Sequence, residues 1–122
     1  MATVAFDIDG TVAAAPHQMQ ELASSLMAAG HEVIILTGTG NDAVTQDIVD
    51  AKSNYLNSLG MGQSYNTLTV IANNVAGGLD QAKAQWCKDN GVDVLIDNSQ
   101  KNAQAAVNAG IELVLVPWAS RV

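Results

Sequence analysis

The chain has 122 residues, 48% of them hydrophobic and 14% charged, with twelve acidic against five basic side chains and a formal net charge of −7. That is one domain's worth of chain, apolar enough to bury a core and too poor in charge for an extended disordered polymer. An acidic balance with two Trp, two Tyr and one Phe argues against broad nucleic-acid binding, though not against recognition of one phosphate at a chain end.

Short apolar runs alternate with helical patterns. Thr3–Asp7 is a strand-type run ending on an acid. Met19, Leu22, Ala23, Leu26 and Met27 fall at helical spacing, and Gly30 is placed to end that helix. Val33–Thr37 is nearly continuous in apolar residues, as a strand buried on both faces requires. A polar helical stretch runs from about Asp42 to Leu59, and after Gly60-Met-Gly62 the run Leu68–Ala72 predicts a third strand. Leu79, Ala82 and Trp86 mark a helix closed by Asn90-Gly91, and Asp93–Asp97 is a fourth strand. Ala103, Ala106 and Val107 mark a last helix ended by Gly110, before a fifth strand at Glu112–Val116.

Five strands alternating with four helices predict an α/β, three-layer Rossmann-like fold, a five-stranded parallel sheet with helices on both faces. The whole of 1–122 is expected to form that single domain. Ligands of such sheets bind beyond the carboxyl ends of the strands, so the residues to weigh are Asp7-Ile-Asp9-Gly10-Thr11, Thr37-Gly-Thr-Gly40, Asn73-Asn74 and Asp97-Asn98-Ser99.

Asp7 and Asp9 stand two apart at a strand end, which points them towards roughly the same side if the chain stays extended, and two carboxylates that close need a cation or a shared proton. Asp97, at the end of another strand, can complete the cluster. Hard oxygen ligands of this kind suit Mg²⁺, completed by waters and a phosphate. A solvated turn is the plainer account, but aspartates ending a buried strand are costly as decoration. His17 and His31 flank the first helix and read as surface or loop residues. Lys83 lies near a helix start, where a cation opposes the helix dipole, and so is expected to face an anion at the strand ends. Lys88, nearer the other end of that helix, is favourably placed without any function. Trp86 and Cys87 read as core. Pro117-Trp118 can rim the site or cover the sheet edge.

These residues resemble the haloacid dehalogenase superfamily over nearly the whole chain. The likeness rests on Val4-Ala-Phe-Asp7-Ile-Asp9-Gly10-Thr11, on Val33-Ile-Ile-Leu-Thr37-Gly38, on Lys83, and on Val94-Leu-Ile-Asp97-Asn98, in that order. The resemblance implies a Mg²⁺-dependent phosphomonoester hydrolase. Asp7 would be the nucleophile that forms an aspartyl-phosphate, and Asp9 the general acid and then base. Asp7, Asp97 and the Asp9 carbonyl would hold Mg²⁺, with Asn98 reaching it through water. Thr37, Gly38 and Lys83 would clamp the phosphoryl oxygens, and Thr11 would position Asp9 beside the bound phosphate. Asn98 departs from the family pattern, which often has a second acid there, and removes one negative charge from the site.

Other readings are a non-catalytic member that keeps this fold and binds phosphate, Mg²⁺ or a partner, and a nucleotide-binding Rossmann domain. The second rests on Gly38-Thr-Gly40-Asn-Asp-Ala43, a Gly-x-Gly-x-x-Ala fingerprint that here follows the second strand rather than the first. A response-regulator receiver has the wrong order of acid and lysine. The spacing leaves no room for a cap domain, so the site is expected to be open. Its phosphorylated substrate would then be presented from outside, as a nucleotide, a macromolecular phosphate or a small sugar phosphate. Oligomers remain possible. No apolar run approaches the roughly 18 residues of a membrane span, the N-terminus carries no signal-peptide pattern, and Cys87 is alone. The expected setting is cytoplasmic.

Overall fold

The computed structural model describes residues 1–74 and 77–117. The strands are β1 (Thr3–Phe6), β2 (Glu32–Gly38), β3 (Thr67–Ile71), β4 (Val94–Ile96) and β5 (Leu113–Leu115). The helices are α1 (Pro16–Ala28), α2 (Gln46–Ser58), α3 (Leu79–Asp89) and α4 (Gln100–Asn108). All strand pairs are parallel, in the order β3-β2-β1-β4-β5. The expected three-layer fold is therefore present, and no cap stands among the described residues.

The period of two along each central strand builds two cores. Val4, Phe6, Val33 and Ile35 point to one face, where they pack with Ala23 and Leu56 from α1 and α2. Ala5, Ile34 and Leu36 point to the other, against Cys87, Ala106 and Ile111. Because both faces are covered, β2 reads as an unbroken apolar run rather than an alternating one. Cys87 lies in the second core with Trp86 packed beside it, as expected, and burial pushes the Cys87 thiol up to about 11.

Two local expectations are corrected. α2 begins at Gln46, not near Asp42, because the Thr45 hydroxyl accepts from the Ile48 amide and fixes the helix start there. The preceding loop is held to the end of β3 by the Asn73 amide, which donates to the Asn41 carbonyl at 2.9 Å. The second correction follows β1. There Ile8–Val12 forms a wide helical turn in which the Ala13 amide donates to the Ile8 carbonyl, interrupted where Asp9 is extended and Gly10 has a φ of 75°. Trp118 lies outside the described residues. His17 sits exposed beside Glu21, and His31 Nδ1 accepts from the Ala2 amide at the amino end of β1.

Candidate functional site

The chain leaves β1 on one side of the sheet for β2 and β3, then crosses to the other for β4 and β5. That reversal opens a crevice outside the carboxyl ends of β1 and β4. Asp7 and Asp97 end these two strands. The Asp7 amide donates to the Ile96 carbonyl at 2.9 Å, so the pairing of β1 with β4 continues up to the acid. Beyond it, the left-handed turn at Gly10 lets the backbone pass close to Asn98; a Cβ at Gly10 would collide with the Asn98 carboxamide. Thr11 is buried, and its hydroxyl accepts from the Asn98 amide at 3.0 Å.

Lys83 reaches this crevice from α3. Its side chain is 2% exposed, and Nζ donates at 2.9 Å both to Asp7 Oδ1 and to Asp97 Oδ2. α3 can come so near because Gly38, at the end of β2, packs directly against Leu79 with no room for a Cβ. Asp97 is fully engaged. Oδ2 also accepts from Asn102 Nδ2 at 3.0 Å, and Oδ1 accepts from the Ser99 amide at 3.0 Å. Burial pushes the Asp7 carboxyl up to about 6, a rise that the Lys83 charge offsets in part and the Asp97 charge adds to. Burial alone pulls the Lys83 ammonium down, but the Asp7 and Asp97 carboxylates outweigh it and hold it above its ordinary value. Thr37 is buried at the end of the neighbouring strand β2.

Asp7, Lys83 and Asp97 thus form one buried cluster, with Thr11, Thr37 and Gly38 at adjoining strand ends. The Asp9 side chain is exposed and stands apart; its main-chain carbonyl is what faces the cluster. Among the described residues no three His, Cys, Asp or Glu side chains stand close enough to hold a metal ion. Two oxygens do converge, one from the Asp7 carboxylate and one from the Asp9 main chain, on the Asn98 carboxamide. One end of the Asn98 carboxamide lies 2.8 Å from the Asp9 carbonyl oxygen and 3.1 Å from Asp7 Oδ2. In the orientation that satisfies both ends of the carboxamide, Nδ2 lies there and donates to both oxygens, so the chain's own hard ligands for a small cation at this place would be Asp7 Oδ2 and the Asp9 carbonyl. Sequence reasoning has Asn98 acting through water, weighs Ser99 as a strand-end residue without giving it a role, and misses Asn102. The pattern Ser99-x-x-Asn102 does carry a signal, since Ser99 caps α4 by accepting from the Asn102 amide at 3.2 Å.

At the β3 edge of the sheet, between β3 and α3, lies an open cavity of about 420 Å³ lined by Val44, Ile71, Ala72, Asn74, Gln85 and Trp86 among others, with none of Asp7, Lys83 and Asp97 in its wall. Val44 belongs to the loop that follows the end of β2.

No protein-family model matches the chain, and no curated protein matches it. Among solved structures, a universal stress protein from Archaeoglobus fulgidus superposes with a TM-score of 0.62 at 6% identity, covering 96% of this chain and 94% of that one. A universal stress protein in complex with cAMP superposes with a TM-score of 0.55 at 15% identity, covering 94% and 95%. At these identities the likeness shows the fold. It also overturns the haloacid dehalogenase resemblance, and with it the phosphomonoester hydrolase, the aspartyl-phosphate intermediate and the non-catalytic member of that superfamily. The physical reason lies in the site. Asp7 Oδ1 accepts from Lys83 and Oδ2 faces the Asn98 carboxamide, so in the ligand-free chain both oxygens are engaged in hydrogen bonds. The expected general acid, Asp9, turns its carboxyl to solvent instead of toward Asp7. Among the described residues no helix is long and apolar enough to cross a membrane.

Proposed function

We propose that the chain binds a nucleotide, with its phosphate and a Mg²⁺ ion at the crevice between β1 and β4. The observation that carries this reading is the convergence of Asp7 Oδ2, the Asp9 carbonyl and the Asn98 carboxamide within 3.1 Å, beside a buried ammonium at a topological switch point. Two buried carboxylates against one ammonium leave the cluster negative, and the chain as a whole carries −7. A bare phosphate is repelled by that balance. Mg²⁺, when bound, supplies the positive charge that reverses it.

The chain's own groups then divide the work. Asp7 Oδ2 and the Asp9 carbonyl hold the cation, while Asp97 holds Lys83. Lys83 has three N–H donors and spends two on the carboxylates, leaving one for a phosphate oxygen. Thr37 and the Gly38–Asn41 backbone border the same place. The cavity between β3 and α3, with Trp86 in its wall, has the size and apolar character for a base. That a universal stress protein of this fold carries cAMP supports the ligand class.

Calorimetric titration with ATP, ADP and cAMP, each with and without Mg²⁺, tests the reading. Binding should weaken at least about tenfold when Mg²⁺ is removed, and Asp7→Asn should abolish the Mg²⁺ dependence. Absence of binding to all three, or binding indifferent to both Mg²⁺ and Asp7, overturns it.

A further inference from the structure

The two carboxylates that share Lys83 are not equivalent. Asp7 gives Oδ1 to the ammonium and turns Oδ2 toward the Asp9 carbonyl and Asn98. Asp97 is 0% exposed, and both of its oxygens are held by the segment that follows it. The Ser99 amide donates to Oδ1 at 3.0 Å, and Asn102 Nδ2 donates to Oδ2 at 3.0 Å. Lys83 Nζ donates to that same Oδ2 at 2.9 Å. The end of the Asn102 carboxamide that meets the carboxylate has to be its nitrogen, because an ionised carboxylate only accepts. Asn102 is fixed in turn by the helix it belongs to. It is the third residue of α4, and its amide donates to Ser99 Oγ at 3.2 Å. The first turn of α4 therefore reaches the Lys83 ammonium through one carboxylate oxygen.

We propose that Asn102 is a positioning residue for phosphate binding, which by holding Asp97 Oδ2 sets where the third N–H of Lys83 points. This rests on the nucleotide reading given above. An N–H on a carboxylate oxygen disperses part of its charge and fixes its torsion. Without the Asn102 donor, Oδ2 has Lys83 alone, draws the ammonium more strongly and takes it from the phosphate. Asp7 cannot make up the loss, because its other oxygen faces the cation. Asn102→Asp separates this role from a merely structural one. It keeps the shape of the side chain, and an acid in the first turn favours a helix, so α4 should form as well as before. What it loses is the donor, and an oxygen then faces Asp97 Oδ2. Asn102→Leu removes the donor without adding a charge.

The test combines two readouts on the full chain and both variants. Calorimetric titration with ATP, ADP and cAMP in Mg²⁺ gives affinity, and ¹H–¹⁵N NMR of the Lys83 side-chain ammonium in the ligand-free protein gives its setting. Both variants should bind the tightest of the three ligands at least about tenfold more weakly than the native chain, and both should shift the Lys83 ammonium resonance. Asn102→Asp alone decides if Asn102→Leu does not fold. An affinity of Asn102→Asp within about twofold of the native chain, or a Lys83 resonance that does not move, overturns the positioning role and leaves the nucleotide reading standing. If the native chain binds none of the three ligands, the nucleotide reading falls and the positioning role with it.

Discussion

Asp7 is ionised at neutral pH against the preference of its surroundings. Its carboxyl is raised from 3.8 to about 6, chiefly by burial, so the folded chain holds this proton to higher pH than the unfolded chain does. Between those two values folding takes up a proton, and stability falls as pH rises through that window. Above it the ionised carboxyl costs about 3 kcal/mol, from about 1.4 kcal/mol for each pH unit separating the two values. Asp7→Asn should therefore stabilise the ligand-free protein by up to about 3 kcal/mol at pH 7.5 and by almost nothing below pH 4, a contrast read by urea unfolding at the two pH values. Lys83 has the opposite sign. Its ammonium, raised by two carboxylates, supports the fold at all pH below its ordinary value and ceases to do so only as it deprotonates in strong base. Lys83→Met leaves Asp7 and Asp97 buried without a counter-charge, and a loss of about 3–5 kcal/mol at neutral pH is expected from the same unfolding measurement.

At the scale of elements, the site depends on how three segments end. Thr45 and Ser99 each cap the helix that follows them, and Thr45→Ala should cost about 1 kcal/mol with no effect on the crevice. Ser99 contributes twice, since its amide also holds Asp97 Oδ1. Gly38→Ala is expected to be worse than a lost cap. The added methyl meets Leu79 at the start of α3, at an overpacking cost of about 1–3 kcal/mol, and it pushes away the helix that carries Lys83. Circular-dichroism melts of the two variants should place Gly38→Ala below Thr45→Ala in Tm if the helix is held by that contact. The strands were legible in sequence because burial on both faces leaves an apolar run with a polar residue at its end. The start of α2 was not, because Asn41 to Val44 has no proline to bar a helix and only the Thr45 cap decides the boundary. The wide turn over Ile8–Val12 was hidden too, since five residues are too few to show a period.

Across the whole molecule, the architecture and the gathering of Asp7, Lys83 and Asp97 could be read from the chain, whereas the family could not. Any parallel sheet with this strand order collects its strand ends on one edge, so acids after β1 and β4, a threonine after β2 and a lysine on α3 become neighbours whatever their chemistry. Their order along the sequence therefore described the scaffold more than the reaction. What sequence could not supply was orientation: that Asp9 turns outward, that Asp97 spends both oxygens on its own neighbours, and that Asn98 faces Asp7 directly. A ligand bound only by the folded state adds stability by mass action, about 2.7 kcal/mol at a hundred times its Kd. Nucleotide with Mg²⁺ should raise the Tm of the native chain in a concentration-dependent way, and Asp7→Asn should show a higher starting Tm but a smaller rise.

β1 lies between β2 and β4, so it gains its second neighbour only when Val94–Ile96 have been synthesised. Until then one edge of β1 has no β4 to pair with, and Asp7 waits for a lysine 76 positions further along the chain. Pairing across such a separation is slow, because the intervening chain must be ordered before the contact rewards it. The acidic crevice thus assembles only after β4 has been made, and a nascent chain that stalls before Lys83 holds the Asp7 carboxylate without its ammonium partner.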